Sequence, residues 1–374
     1  MLVVFFCLLL VPPIWLSVRV MQKTAFPLSV RLALVAAFFC ISQMFTINHF
    51  VFGSLSGPLM PRALLLVQAF CLCAEIFVFV WDVIGVAVKR LGKSSFSPER
   101  RRFLDTGMLG CGCALLGAGC GVHNGCALPT ITAHTLSLAI PQALDGLRLC
   151  FLADLHVGPV TTKDWMLSTK ARIRAARPDI ICFGGDLSDG QLWYPTDGRT
   201  REALFLLFSD LSAPLGLWAC TGNHEYYSDY AGWMRCYESV GIRFLHNQAV
   251  TLPYKGHRIS IVGRDDVQAE RMGFATPCMP TVPAADLRIL LDHRPVRAKE
   301  HVGLCDLQLS GHTHGGQCLG MDRLVASANQ GYVRGWYDVS GMPLYVTTGA
   351  GLWSGFPVRL GVPAEVALIT IQKA

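Results

Sequence analysis

The sequence predicts an α/β domain preceded by an α-helical membrane region, and three observations predict it. Apolar residues fill 52% of the 374 positions, which is high for a soluble protein, and the longest apolar runs lie at the front. Beyond about residue 130 short apolar runs alternate with amphipathic stretches, as in a chain that lays down strands and helices in turn. Charge divides at the same place. Residues 1–102 hold ten Lys or Arg against Glu75, Asp82 and Glu99, whereas the remainder holds 22 against 23, so the formal +6 belongs to the front. Nucleic acid is thereby excluded as an electrostatic partner of the C-terminal part.

Apolar runs near 2–18, 32–53, 63–88 and 103–122 divide the chain into a membrane region of about four spans, residues 1–129, and an α/β domain over 130–374. The two middle runs each match a hydrocarbon core of about 30 Å. Pro12-Pro13 interrupts the first, and glycine dilutes the last. No basic residue precedes the first run, which favours a retained anchor over a cleaved signal. Arg19, Lys23 and Arg31 follow span one; Lys89, Arg90, Lys93, Arg100, Arg101 and Arg102 follow span three; only Arg62 lies between spans two and three. The positive-inside rule then makes loops one and three cytoplasmic and puts everything after Val122 outside. The expected location is the inner (plasma) membrane, multi-pass, with an extracytoplasmic domain.

Ser97-Pro98-Glu99 reads as a helix start, serine capping and proline opening it. The stretch Arg100-Arg101-Arg102-Phe103-Leu104 resembles the twin-arginine export signature and reads equally as a basic stop before a membrane helix. Glu75 and Asp82 stand seven apart on one helical face with no basic partner in view, and intramembrane carboxylates flag function by default. The fifteen cysteines are spread through apolar or glycine-rich surroundings and read as small buried hydrophobes.

In the second part, 147–153 reads as a strand, 161–176 as a helix ended by Pro178, and 179–183 as the next strand. A helix over 201–211, a strand over 215–221 and a helix over 228–240 follow. Strands are expected over 258–262, 287–291, 306–309, 344–348 and 366–371.

Five of these strands end in groups that ligate metals. The first delivers Asp154 and His156, the second Gly184-Gly185-Asp186, the third Gly222-Asn223-His224-Glu225; two later ones deliver Asp292-His293 and Gly311-His312-Thr313-His314. In open α/β sheets such strand ends converge. Taken singly, an aspartate such as Asp186 or Asp189 in a turn does no more than satisfy backbone donors. Together they form an oxygen and imidazole set without thiolate, suited to Mn, Fe or Zn. It is too large for one tetrahedral ion, and two ions about 3.5–4 Å apart sharing a carboxylate account for it. Asp265, Asp266 and Arg294 are candidates for the pocket lining, and Trp193, Tyr194, Tyr226 and Tyr227 for an apolar wall.

The ordered blocks DxH, GD, GNH, H and GHxH over residues 154–314 resemble the calcineurin-like metallophosphoesterases, and Gly311 to Gln317, Thr348 to Gly351 and Pro357-Val358-Arg359 are similar to a membrane-anchored or exported bacterial branch. The resemblance implies two packed β-sheets flanked by helices. It implies Asp154, His156 and His314 on a first divalent cation, Asn223, His293 and His312 on a second, and Asp186 on both. His224 would meet the substrate instead, and Glu225 would orient a neighbour. It further implies hydrolysis of phosphate mono- or diesters by a metal-activated hydroxide, on a small-molecule, lipid or cell-wall substrate. Two alternatives are a cytoplasm-facing lipid-precursor pyrophosphatase, of the UDP-diacylglucosamine type, and a scaffold that has kept the fold without catalysis.

Overall fold

The computed structural model describes residues 2–23, 26–44, 46, 62–91, 108–158, 160–189, 199–227, 229–274, 278 and 280–374. The chain forms two compact units, Met1–Gly125 with Gly355–Leu360, and Cys126–Ser354 with Gly361–Ala374. Lys93, the helix start at 97–99, the twin-arginine-like stretch 100–104, His49, Trp193 and Tyr194 lie outside the described residues.

The first unit holds helices α1 (Leu2–Lys23), α2 (Leu28–Ser42), α3 (Arg62–Leu91) and α4 (Met108–Gly125). Among the described residues one stretch, Arg62–Val86 in α3, is long and apolar enough to cross a membrane. Of the about four spans expected, this is the one that the described residues bear out. At about 1.5 Å per residue, the 15 residues of α2 rise roughly 22 Å, short of a hydrocarbon core. Helix α4 is diluted by five glycines before its last residue, and α1 carries Arg19 and Lys23 as well as the two prolines. The expected spans 32–53 and 103–122 also run into residues outside the described set. Asp82 has a partner that the sequence did not reveal: it pairs with Arg19 and accepts a hydrogen bond from the Trp15 indole at 3.0 Å.

The second unit is built on two six-stranded sheets. In the first the order is β1 (Thr130–Leu138), β12 (Glu365–Lys373), β2 (Leu147–Leu152), β3 (Ile180–Phe183), β4 (Leu217–Ala219) and β5 (Ile242–Phe244). In the second it is β10 (Gly335–Val339), β11 (Met342–Val346), β9 (Leu307–Ser310), β8 (Leu287–Asp292), β7 (His257–Arg264) and β6 (Gln248–Tyr254). Strands β2 to β5 run parallel, as do β7, β8, β9 and β11.

Residue alternation decides what packs where. Leu147, Leu149 and Phe151 of β2 face the second sheet, meeting Ile261, Ile289 and Leu309 in one buried cluster. Their neighbours Cys150 and Leu152 face the other way, onto α5 (Lys163–Ala175), α6 (Arg199–Phe208) and α7 (Tyr230–Ser239) through Trp165, Leu207 and Trp233. A strand buried on both faces is apolar almost throughout, which is why β3 reads as an unbroken run and β2 departs from one only at Arg148. Each fully buried Leu, Ile or Phe in these layers contributes about 1.5–3 kcal/mol. The two-sheet architecture flanked by helices agrees with the expected fold class. No disulfide forms among the described residues, and Cys150, Cys182, Cys220 and Cys305 are buried thiols.

The helix starts follow local chemistry. Thr162 caps α5 by accepting from the Trp165 N–H, and Asp229 caps α7 by accepting from the Gly232 N–H. Two short helices, α8 (Val267–Arg271) and α9 (Asp322–Ala328), follow the C-terminal ends of β7 and β9. Asp266 caps α8 through the Gln268 N–H.

Candidate metal centre

The loops after β2, β3, β4, β8 and β9 bring the predicted ligands to one end of the two sheets. Asp154, His156 and His314 present ligand atoms within 4.8 Å of one another, and so do Asp186, His293 and His312. Asp154, His156, Asp186, Asn223 and His293 are buried; His224, His312 and His314 are half-buried. Arriving there strains the backbone. Asp154 (φ 53°), His156 (φ 44°), Asp186 (φ 54°), His312 (φ 71°) and His314 (φ 47°) all sit in the left-handed region, where non-glycine residues are uncommon. Glycine is required beside them for space. A Cβ at Gly222 would lie 2.2 Å from Asp186 Oδ1, and one at Gly311 would lie 2.6 Å from Asp154 Oδ2.

Hydrogen bonds fix the outer atoms of the ligands and leave the inner ones over. His156 Nδ1 donates to Asp189 Oδ1 at 2.9 Å, and His293 Nδ1 donates to the Gly184 carbonyl at 2.6 Å. Their Nε2 atoms lie 3.8 and 3.2 Å from the same Asp186 oxygen, Oδ2. Neither Nε2 has a hydrogen-bond partner, and neither does the buried Asn223 Oδ1. Buried polar atoms left over in this way are costly, and two imidazole nitrogens beside one carboxylate fit a cation better than a void. An imidazole whose far nitrogen is held by a carboxylate or carbonyl is also the usual support of a metal-ligating histidine. The residues present therefore fit divalent cations: mixed nitrogen and oxygen donors, no thiolate, and a central carboxylate between two groups.

The electrostatics agree. Burial pulls the His293 imidazolium down, but Asp186, Asp154 and Asp266 outweigh it and raise its pKa to about 10. Burial acts likewise on His156, where Asp189, Asp186 and Asp154 prevail and raise the value to about 9. Burial opposes ionisation of Asp186 as well, yet His293, His224 and His156 hold its carboxyl well below the usual range. His312 goes the other way: burial and the neighbouring Arg294 and His293 hold it well below an ordinary histidine. The pocket thus carries surplus negative charge that protons on two imidazoles partly balance.

Three further groups organise the site. Glu225, fully buried, accepts from the backbone N–H groups of Asp186 (2.9 Å), Leu187 (2.7 Å) and Gly222 (2.7 Å), tying the end of β3 to that of β4. The His312 N–H donates to both oxygens of Asp154, at 3.1 and 3.0 Å, tying the second sheet to the first. Arg294 donates to Asp266 at 2.6 Å, with a guanidinium nitrogen 3.3 Å from His312 Nε2, so this pair does line the pocket. Asp265 turns away, accepting from Thr221 at 3.0 Å and pairing with His246.

Asp189 is the functional residue that sequence reasoning missed. Its Oδ1 accepts from His156 and also from His224 Nδ1, at 2.7 Å, while Oδ2 accepts from the N–H and hydroxyl of Ser354 at 2.9 and 3.1 Å. Both oxygens of the Asp189 carboxylate are engaged, and with His156 and His224 it forms a third group of ligand atoms within 4.8 Å of one another. His224 is framed by Tyr227 and Trp353, with ring centroids at 5.2 and 6.1 Å. Tyr226 packs on Tyr230 instead, at 4.9 Å. Of the histidines outside the ligand blocks, His301 is buried against Gln308 and Arg264, and His134 bonds Tyr345.

Comparison with known proteins matches the centre as a unit. A family model described as calcineurin-like phosphoesterase matches residues 147–316, which contain every ligand block. A metallophosphoesterase of Helicobacter pylori is 30% identical over 323 residues, covering 83% of each chain. A Danio rerio protein described as a transmembrane protein with metallophosphoesterase domain is 32% identical over 250 residues, 63% of this chain; that match spans 55% of its own length. A Bacillus subtilis metallophosphoesterase is 29% identical over 290 residues, 98% of its length. With the ligand blocks inside the matched range and 83% of both chains covered in the Helicobacter pylori case, these likenesses make this chain a member of the calcineurin-like metallophosphoesterase family.

Proposed function

We propose that the chain is a membrane-anchored phosphoesterase that holds two divalent cations, Mn, Fe or Zn, and hydrolyses phosphate mono- or diesters. The observation that carries this reading is the pair of buried imidazole nitrogens, His156 Nε2 and His293 Nε2, left over on either side of Asp186. Asp154, His156 and His314 would hold one cation, Asn223, His293 and His312 the other, and Asp186 both. Such cations supply Lewis acidity, making water a nucleophile near neutral pH and neutralising phosphate charge.

The remaining chemistry belongs to the side chains around them. Asp189 fixes the His224 ring by its Nδ1, which leaves Nε2 to deliver a proton to the leaving oxygen, and the Asp189 carboxylate stabilises the imidazolium that carries it. Arg294, anchored by Asp266, brings a permanent positive charge beside His312 for the phosphate oxygens. Burial of the carboxylates keeps these charges from being screened by bulk water.

For orientation, the four apolar runs taken as spans and the basic residues of loops one and three support an extracytoplasmic site. One observation favours a second reading. If Arg62–Val86 is the sole crossing, Lys89 and Arg90 just beyond it keep the catalytic unit in the cytoplasm, and hydrolysis of a lipid precursor becomes the better fit. The test of function is a screen of the purified chain on nitrophenyl mono- and diesters with Mn, Fe or Zn. Metal-dependent, chelator-sensitive turnover is expected; none with any metal leaves the non-catalytic scaffold.

A further inference from the structure

Strands β7, β8 and β9 run parallel, so their C-terminal ends share one edge of the second sheet. The end of β8 carries His293. The ends of β7 and β9, on either side, lead into two tips with the same composition. After β7 comes α8, and then Met272 and Phe274 stand 48% and 51% exposed beside the exposed Arg271. After β9 and the His312–His314 turn, Leu319, Met321 and Leu324 stand 66%, 43% and 56% exposed around the exposed Arg323.

Both tips are fixed to the site. The Phe274 ring packs on Tyr226 and Tyr230 at 5.4 and 5.0 Å, directly after His224, and its N–H donates to the Ala269 carbonyl at 2.8 Å. Helix α9 buries none of its residues, and it is held by the Arg334 bond to Asp322 and by the Arg334 bond to the Gly315 carbonyl. The nearby acids are engaged, Asp322 by Arg334 and Glu270 by Arg297. What faces outward is apolar side chain flanked by arginine, on a rim that brackets the metal centre.

We propose that these two tips dock the catalytic unit onto an anionic lipid surface, so that the centre meets phosphate groups borne on that surface. The inference rests on the phosphoesterase reading and narrows its substrate class to membrane-borne phosphates. Exposed leucine, methionine and phenylalanine enter the boundary between headgroups and acyl chains, and adjacent arginines pair with anionic headgroups. Because Arg62–Val86 is long and apolar enough to anchor the same chain in a membrane, a weak docking surface suffices.

The test uses the full chain in vesicles of phosphatidylcholine and phosphatidylglycerol, with a benzophenone amino acid at position 274 or 324. The control position is that of Leu304, 38% exposed at the opposite end of β9. Lipid adducts at both tips at least about five times those at the control are expected. Arg271→Gln with Arg323→Gln should lower them severalfold. Adducts no higher than at the control, or adducts to a second copy of the chain, overturn the proposal. Hydrolysis of nitrophenyl phosphate by the same samples separates that result from failure of the phosphoesterase reading, since a soluble ester needs no docking.

Discussion

At the scale of single residues, the account turns on which groups hold charge and which only aim it. His224 and Asp189 make the division measurable. His224→Ala should leave metal content nearly intact while slowing turnover by about a hundred- to ten-thousand-fold, the range for a lost acid–base group. Asp189→Asn should do something different. It weakens the bonds to His156 as well as to His224, so metal affinity should fall about ten- to a hundredfold along with activity. Equal metal loss in both variants would contradict the division. Proton linkage gives a second check. In the metal-free chain at pH 7.5, His156 and His293, raised to about 9 and 10, both carry protons that a cation on the ring nitrogens must displace. Metal titrations in buffers of different ionisation enthalpy should show proton release that declines as pH rises through about 9 and 10. Release independent of pH would contradict these assignments.

Asp189 also marks where reading residues stopped. An aspartate three positions after Asp186 looks the same in sequence whether it caps a turn or holds two imidazoles. Only the return of Ser354 to its second oxygen distinguishes the cases, and that residue stands 165 positions away. The metal-binding blocks were legible for the opposite reason. Each block is local, with its histidines and aspartates one or two residues apart at the end of an apolar run, so strand and ligand were read together. Arg294 was nameable as lining because it adjoins His293, and Asp266 because it follows the end of an apolar strand.

At the scale of elements, the strands buried on both faces were legible and the edges were not. Strand β3 is a continuous apolar run, and β2 and β8 depart from one only at Arg148, Arg288 and the terminal Asp292. In contrast β1, with the mixed pattern Thr-Ile-Thr-Ala-His-Thr-Leu-Ser-Leu, and β6, with Pro253 inside it, sit at sheet edges where one side is solvated. Strand β5 is three residues long and offers too little pattern. Within the elements the joint between β3 and β4 is the one to test. Glu225→Ala strands three buried N–H groups, on Asp186, Leu187 and Gly222, at about 1–3 kcal/mol each when unpaired. A fall in Tm of roughly 10 °C, with lost metal, is expected by thermal denaturation of the purified chain. A Tm unchanged within a degree would show that water replaces Glu225 at no cost.

At the scale of the whole molecule, the front of the chain is where sequence reasoning ran ahead of the structure. Four apolar runs pointed to four crossings, and among the described residues Arg62–Val86 is the one that combines length with apolarity. Glycine explains part of the difference. It lengthens an apolar run without adding transfer energy, so the stretch 103–122 reads as a span while contributing little hydrophobic surface. Reporter fusions locate the domain directly. With four crossings, alkaline phosphatase fused after Pro129 should be active and one fused within residues 89–100 silent. Silence at both places instead indicates that 103–122 does not cross and the domain is cytoplasmic, and leaves the metal centre untouched.

The central claim is that Asp186 serves two cations at once. Elemental analysis of the purified chain and of Asp186→Ala, read beside nitrophenyl ester turnover, tests it most directly. The account predicts about two divalent ions per chain in the parent, one or none in Asp186→Ala, and turnover lost with them. An Asp186→Ala chain that keeps two ions and full turnover would contradict it.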